Sequence, residues 1–113
     1  MTVRENEIRA FLIDVKRIVQ QPKNILFINT AKNRNALTSL GVSIKEVIQI
    51  ITLLDPNDYH AGPDKDHDGS EGSIMIFLRP YNRVVFYIKL KIFNLNGVKY
   101  LKVLSFHEEG QYD

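Results

Sequence analysis

Six side chains in the second half of this 113-residue chain have the types needed to handle a phosphodiester: Tyr87, Lys89, Arg79 and His107, with Lys65 and His67 a little upstream. Cleaving RNA without a metal takes a base for the 2′-hydroxyl, an acid for the leaving 5′-oxygen, and cations for the charge that builds on the phosphoryl oxygens. His, Tyr, Lys and Arg can fill those roles. Other chemistries are poorly provided for. The chain has no cysteine, which excludes disulfides, thiolate metal sites and a cysteine nucleophile. It has no Gly-rich phosphate loop, G-x-S-x-G elbow or dinucleotide fingerprint.

A metal is tested by two patterns. Asp64-Lys65-Asp66-His67-Asp68-Gly69 matches the first half of a calcium-binding EF-hand loop, but position 12, which should be a bidentate Glu, is Met75. A strand rather than an exit helix follows, so the segment reads as a solvated acidic loop. The histidines, His60, His67 and His107, lack the HExxH spacing of a helix-borne zinc site. No metal or cofactor is expected.

Charge separates strongly along the chain. The net +2 is made of +4 over residues 1–54, −5 over 55–72, +6 over 73–107 and −3 over 108–113. The third stretch holds Arg79, Arg83, Lys89, Lys91, Lys99 and Lys102 and no carboxylate. That is the pattern of a polyanion footprint, and equally that of a solvated sheet face whose lysines block edge-to-edge pairing. At 44% hydrophobic and 25% charged residues, the composition is that of a globular protein, and the length fits one domain, 1–113. With no apolar run near 18 residues and no signal-like apolar start, no membrane segment and a cytoplasmic location are expected.

The elements that must position these residues follow from periodicity. Residues 5–21 place Ile8, Phe11, Leu12, Val15, Ile18 and Val19 on one helical face, and Pro22 stops the helix. Ile25-Leu26-Phe27-Ile28 is a short strand. Thr30 or Asn29 caps a helix that runs to Leu40 and Gly41, and Ser43 with Glu46 is a capping box for a third helix through Leu54. Residues 55–72 read as one long loop. Strands are expected over 73–79, 84–93 and 98–107, giving an α+β fold with N-terminal helices packed on one face of a small C-terminal antiparallel sheet.

Asn96-Gly97 is the signature of a two-residue type I′ turn, which fixes hairpin register. It pairs Leu95 with Val98, Phe93 with Tyr100, Lys91 with Lys102, Lys89 with Leu104 and Tyr87 with Phe106. Tyr87, Lys89, Lys91, Tyr100 and Lys102 then form an open face suited to phosphate contact and base stacking. Facing Lys91 and Lys102 repel unless an anion lies between them. This register puts His107 on the helix side, away from Tyr87 and Lys89. A strand-end bulge, action from the rim, or a structural role would each accommodate that.

Several ordered pieces resemble one known family. They are Lys32-Asn33, Ala36-Leu37, Leu40-Gly41-Val42-Ser43, Leu53-Leu54, Asp58-Tyr59, Gly62-Pro63, Asp66 and Asp68, Tyr87-Ile88-Lys89-Leu90-Lys91 and Ser105-Phe106-His107. Together they look like the MqsR-type toxins of type II toxin–antitoxin systems, over residues 32–107. The resemblance implies a RelE-like fold, metal- and cofactor-free cleavage of mRNA, free or on the ribosome, and neutralisation by a cognate antitoxin protein. It makes Tyr87, Lys89 and His107 catalytic candidates. His107 stands where other members carry Lys, and Tyr59 is followed by His60 rather than the family's Lys. Lys65, His67, Arg79, Lys91 and Lys102 are the expected RNA-binding residues. A non-catalytic RNA- or ribosome-binding module using the same face, or a domain that meets an acidic protein, are the competing functions.

Overall fold

A computed structural model of the chain describes residues 3–110. The amphipathic pattern near the N-terminus becomes helix α1 (Val3–Ile18), whose Ile8, Phe11, Leu12, Val15 and Ile18 are buried. After a turn opened by Pro22 comes the short strand β1 (Ile25–Phe27). Helix α2 (Ala31–Leu40) begins where Thr30 Oγ1 accepts a hydrogen bond from the Asn33 N–H at 3.1 Å. Helix α3 (Ile44–Thr52) carries the expected capping box: the Glu46 N–H donates to Ser43 Oγ, and the Ser43 N–H donates to Glu46 Oε1.

Four more strands follow: β2 (Tyr59–Asp64), β3 (Ser73–Tyr81), β4 (Val84–Leu95) and β5 (Val98–Glu108). They form one five-stranded sheet in the order β1-β5-β4-β3-β2. The α+β class is as expected, with two corrections. The sheet is mixed, because β1 runs parallel to β5, with Ile25 opposite Leu101 and Phe27 opposite Val103. Residues 55–72 are not one loop, since Pro56–Asp58 form a 3-10 turn and β2 pairs with β3, which leaves 65–72 as the irregular stretch between β2 and β3. Strand β2 escapes a sequence reading because it lies at the sheet edge, contains Pro63 and shifts register twice, so it shows no apolar alternation.

Both hairpin turns have two residues at positive φ, Asn82 and Arg83 (47° and 71°) and Asn96 and Gly97 (53° and 81°), as type I′ requires. Helices α1 and α3 cover one face of the sheet. Their apolar stripes meet Met75, Phe77, Phe86, Ile88, Leu90, Leu101, Val103 and Phe106 in a continuous core. The other sheet face carries Tyr87, Lys89, Lys91 and Phe93 of β4. No helix among the described residues is long and apolar enough to cross a membrane.

Candidate active site

The β4–β5 hairpin begins in the expected register, with Leu95 opposite Val98, Phe93 opposite Tyr100 and Lys91 opposite Lys102. Past Leu90–Val103 it shifts by one. Lys89 then faces Ser105, Ile88 faces Phe106 and Tyr87 faces His107. Leu104 is the extra residue of a β-bulge, and such an insertion reverses the side of everything beyond it. Phe106 is thereby turned into the core, where its ring centroid lies 4.7 Å from that of Phe86. His107 is turned onto the face of Tyr87 and Lys89. The expected pairings of Lys89 with Leu104 and Tyr87 with Phe106 are thus corrected, and of the three accounts of His107 the bulge is the one that holds.

The bulge is held from outside the hairpin by Asn33 of α2, which is 1% exposed. Strand β1 ends just before it would reach the bulge, with the Ile28 N–H donating to Val103 O at 3.0 Å. Asn33 takes over from there. Its Nδ2 donates to Ile28 O (2.9 Å) and Leu104 O (3.2 Å), and its Oδ1 accepts from the Phe106 N–H (3.1 Å). One amide therefore satisfies backbone groups that neither β1 nor the regular ladder reaches. The sequence carries a signal for it: Asn33 shares the i, i+3, i+4, i+7 stripe of α2 with Ala36, Leu37 and Leu40, a polar residue on an apolar face.

Tyr87 and His107 stack across the strands, with ring centroids 5.1 Å apart and planes 12° apart. Nδ1 of His107 lies 3.0 Å from Glu108 O, so a hydrogen bond there has Nδ1 as donor and makes Nε2 the acceptor of the neutral ring. His107 is only 2% exposed while Tyr87 is half-buried, so Tyr87 is the member of the pair that faces solvent. Two residues along β4, Lys89 opens into a cleft of about 470 Å³ that is also lined by Asp64, Lys65, His67, Ile74 and Ile76. Three of the residues singled out in the sequence, Lys65, His67 and Lys89, thus share one cleft. Tyr87 and His107 do not line it; they pair with each other two residues along from Lys89 on the same sheet face.

The remaining candidates lie elsewhere. Arg79 alternates onto the helix side of β3, where its Nη1 reaches Asp58 Oδ2 at 3.0 Å and Asp55 Oδ2 at 3.9 Å, so it is corrected from an RNA contact to a structural ion pair. Lys91 does lie on the outer face opposite Lys102, but it is 1% exposed. Residues 65–72 cross over it as a strap, and its Nζ donates to Asp66 Oδ2 at 2.8 Å and to Ser70 Oγ. The anion that the Lys91–Lys102 repulsion calls for is therefore internal. Lys102 Nζ sits 5.5 Å from the centroid of the Phe93 ring, at the other end of the face from the cleft.

The same contacts account for the acidic loop. The Lys91 hydrogen bond holds the Asp66 carboxyl below its usual 3.8, and hydrogen bonds from Ser70 lower Asp68 in the same way. The strap's close approach requires Gly72: its φ is +131°, and a Cβ there would lie 2.7 Å from Ile92 O and 2.9 Å from Lys91 Cε. Among the described residues no group of three or more His, Asp or Glu side chains is arranged to hold a metal ion. Comparison with family models, with curated proteins and with solved structures gives no match to this chain.

Proposed function

We propose that this protein is a metal-independent endoribonuclease that cleaves mRNA, free or on the ribosome. On this reading it is a RelE-like, MqsR-type toxin, acting in the cytoplasm and held in check by an antitoxin protein encoded beside it. The observation that carries the reading is the bulge at Leu104, which brings His107 against Tyr87 on the face that also presents Lys89 to the Lys65–His67 cleft. A hairpin in regular register would leave these groups on opposite sides of the sheet.

On this reading the roles divide as follows. Lys89 and Lys65 hold the scissile phosphate and offset charge on its non-bridging oxygens. His67, exposed at the cleft, takes the 2′-hydroxyl proton; the 2′-oxygen then attacks phosphorus and the P–O5′ bond breaks, leaving a 2′,3′-cyclic phosphate. The Tyr87 hydroxyl supplies a proton to the departing 5′-oxygen. His107 lies behind the Tyr87 ring and positions it, rather than touching the substrate as the sequence reading has it. Incubating the purified chain with mixed RNA in EDTA should yield fragments with cyclic phosphate ends. RNA left intact, together with unchanged growth of cells that overproduce the protein, sinks the proposal. An adjacent reading frame for a small helix-turn-helix or acidic protein would support the antitoxin.

One observation favours the competing reading, a module that binds RNA or the ribosome without cleaving. His107 is covered, and burial leaves the face one acid–base group fewer than the sequence offers. That reading gives salt-sensitive RNA binding and no new ends.

A further inference from the structure

The strap at Lys91 divides the outer face of the sheet in two, and the half toward the Asn96-Gly97 turn contains none of the cleft residues. It carries an aromatic pair. Phe93 and Tyr100 face each other across the hairpin with ring centroids 5.5 Å apart and planes 22° apart, and both are half-buried. Near-parallel rings this close are offset-stacked, each covering part of the other, and Tyr100 is the ring of the pair that borders an open cleft. Lys102 stands over Phe93, and Lys23 lines an open cleft of about 500 Å³ beside Tyr100 together with Gln21, Asn24 and Val98. Two carboxylates share a cleft with Phe93: Asp14, which is paired with Lys99, and Glu71 of the strap. A stacked aromatic pair with cations beside it is an arrangement that can hold an unpaired strand, with a base extending the stack and phosphates along the lysines.

We propose that Phe93, Tyr100 and Lys102 form a stacking platform for single-stranded RNA, a second binding site separate from Tyr87 and the Lys89 cleft. The choice of RNA as ligand rests on the ribonuclease reading; the platform geometry does not. Phe93 and Tyr87 are six residues apart on β4, about 20 Å along the strand, so one extended strand can occupy both sites by passing over the strap. A duplex cannot, because its bases are already stacked on each other and offer no free π-face to the rings.

The test is fluorescence anisotropy with labelled 2′-O-methyl oligonucleotides, which lack the 2′-hydroxyl and cannot be cut by the proposed route. The single strand should bind more tightly than its duplex, with affinity rising as the strand lengthens. Tyr100→Leu should weaken binding roughly five- to hundredfold, the range for losing one base–aromatic stack. Lys102→Gln should weaken it and reduce the slope of log K against log salt by about 0.7, one phosphate contact on a single strand. Lys45→Gln, an exposed cation on α3 against the opposite sheet face, should change nothing. Should Tyr100→Leu fold poorly, Tyr100→Trp keeps a ring in place and should retain or tighten binding. Preference for duplex or for a polyglutamate peptide, or a folded Tyr100→Leu that binds as wild type, overturns the platform. Binding that behaves as described without any cleavage of ordinary RNA leaves the platform standing and removes the ribonuclease reading.

Discussion

At the scale of single residues, the reading turns on which polar side chains still face solvent. Tyr87 does, and its hydroxyl is a small part of a ring whose packing against His107 a Phe would keep. Tyr87→Phe should therefore cost no more than about 1 kcal/mol in urea denaturation, while cleavage falls by roughly 10²- to 10⁴-fold, the contribution of one acid–base group. Full activity in a folded Tyr87→Phe protein would take Tyr87 out of the mechanism. Lys91 is the opposite case, a cation almost wholly buried whose carboxylate partner is near the surface. Removing Asp66 strands a buried charge, whereas removing Lys91 leaves a carboxylate that water can solvate. Asp66→Asn should accordingly lower Tm more than Lys91→Met, and equal effects would mean that the pair is not the latch of the strap. The pH dependence has a definite sign. Because the folded-state value of Asp66 is below 3.8, its contribution is fully present above that pH and is lost as pH falls through the lower, folded value. Strap amides should keep their protection relative to the intrinsic exchange rate from neutral pH downward and lose it only in strong acid, a limb that Asp66→Asn abolishes.

Among the elements, the bulged end of β5 matters most, and its support comes from a helix rather than from its own hairpin. Asn33→Ala leaves the Leu104 carbonyl and the Phe106 N–H without their partner, at a cost of roughly 1 to 3 kcal/mol for each group that stays dry. Asn33→Asp should rescue little, since a carboxylate oxygen would then face the two carbonyls that Nδ2 now serves. Chemical denaturation measures the loss, and a vanished nuclear Overhauser contact between the Tyr87 and His107 rings would show the register slipping back. Stability unchanged in Asn33→Ala would mean that the bulge holds itself. Much of this end of the fold was legible in the sequence. The caps at Thr30 and Ser43, the type I′ turn and the paired lysines all follow from short-range rules that tertiary packing left alone. The bulge was legible too, though only by parity: Leu101 and Val103 are apolar at odd positions, then Ser105 and His107 are polar and Phe106 apolar, so the core-facing side switches between 103 and 106. The turn rule governs the near end of a hairpin and says nothing about an insertion seven residues on. Strand β2 and the strap were not legible, because an irregular edge strand and a buried Lys–Asp pair are fixed by contacts between segments far apart in sequence.

For the whole molecule, the question is how much of the basic stretch remains available to a polyanion. Of its six cations, Arg79 is paired with Asp58, Lys91 with Asp66 and Lys99 with Asp14 at 2.8 Å. These bonds tie the sheet to the segment after α3, to the strap and to α1, so half of the sequence-level footprint holds the fold together. The cations left on the outer face are Lys89 and Lys102, with Lys65 added by the strap and Lys23 beside Tyr100. Four neutralised phosphates on a single strand give a slope of log K against log salt of about −3, and reaching Lys91 as well steepens it by about 0.7, while Arg79 and Lys99 are tied down on the helix side. Measured by anisotropy between low and physiological salt, a slope of about −3 means that RNA meets the surface as it is folded. A slope steeper by that further contact means that RNA displaces Asp66 to reach Lys91 beneath. In that case Asp66→Asn, which frees Lys91 in advance, should tighten RNA binding instead of leaving it unchanged.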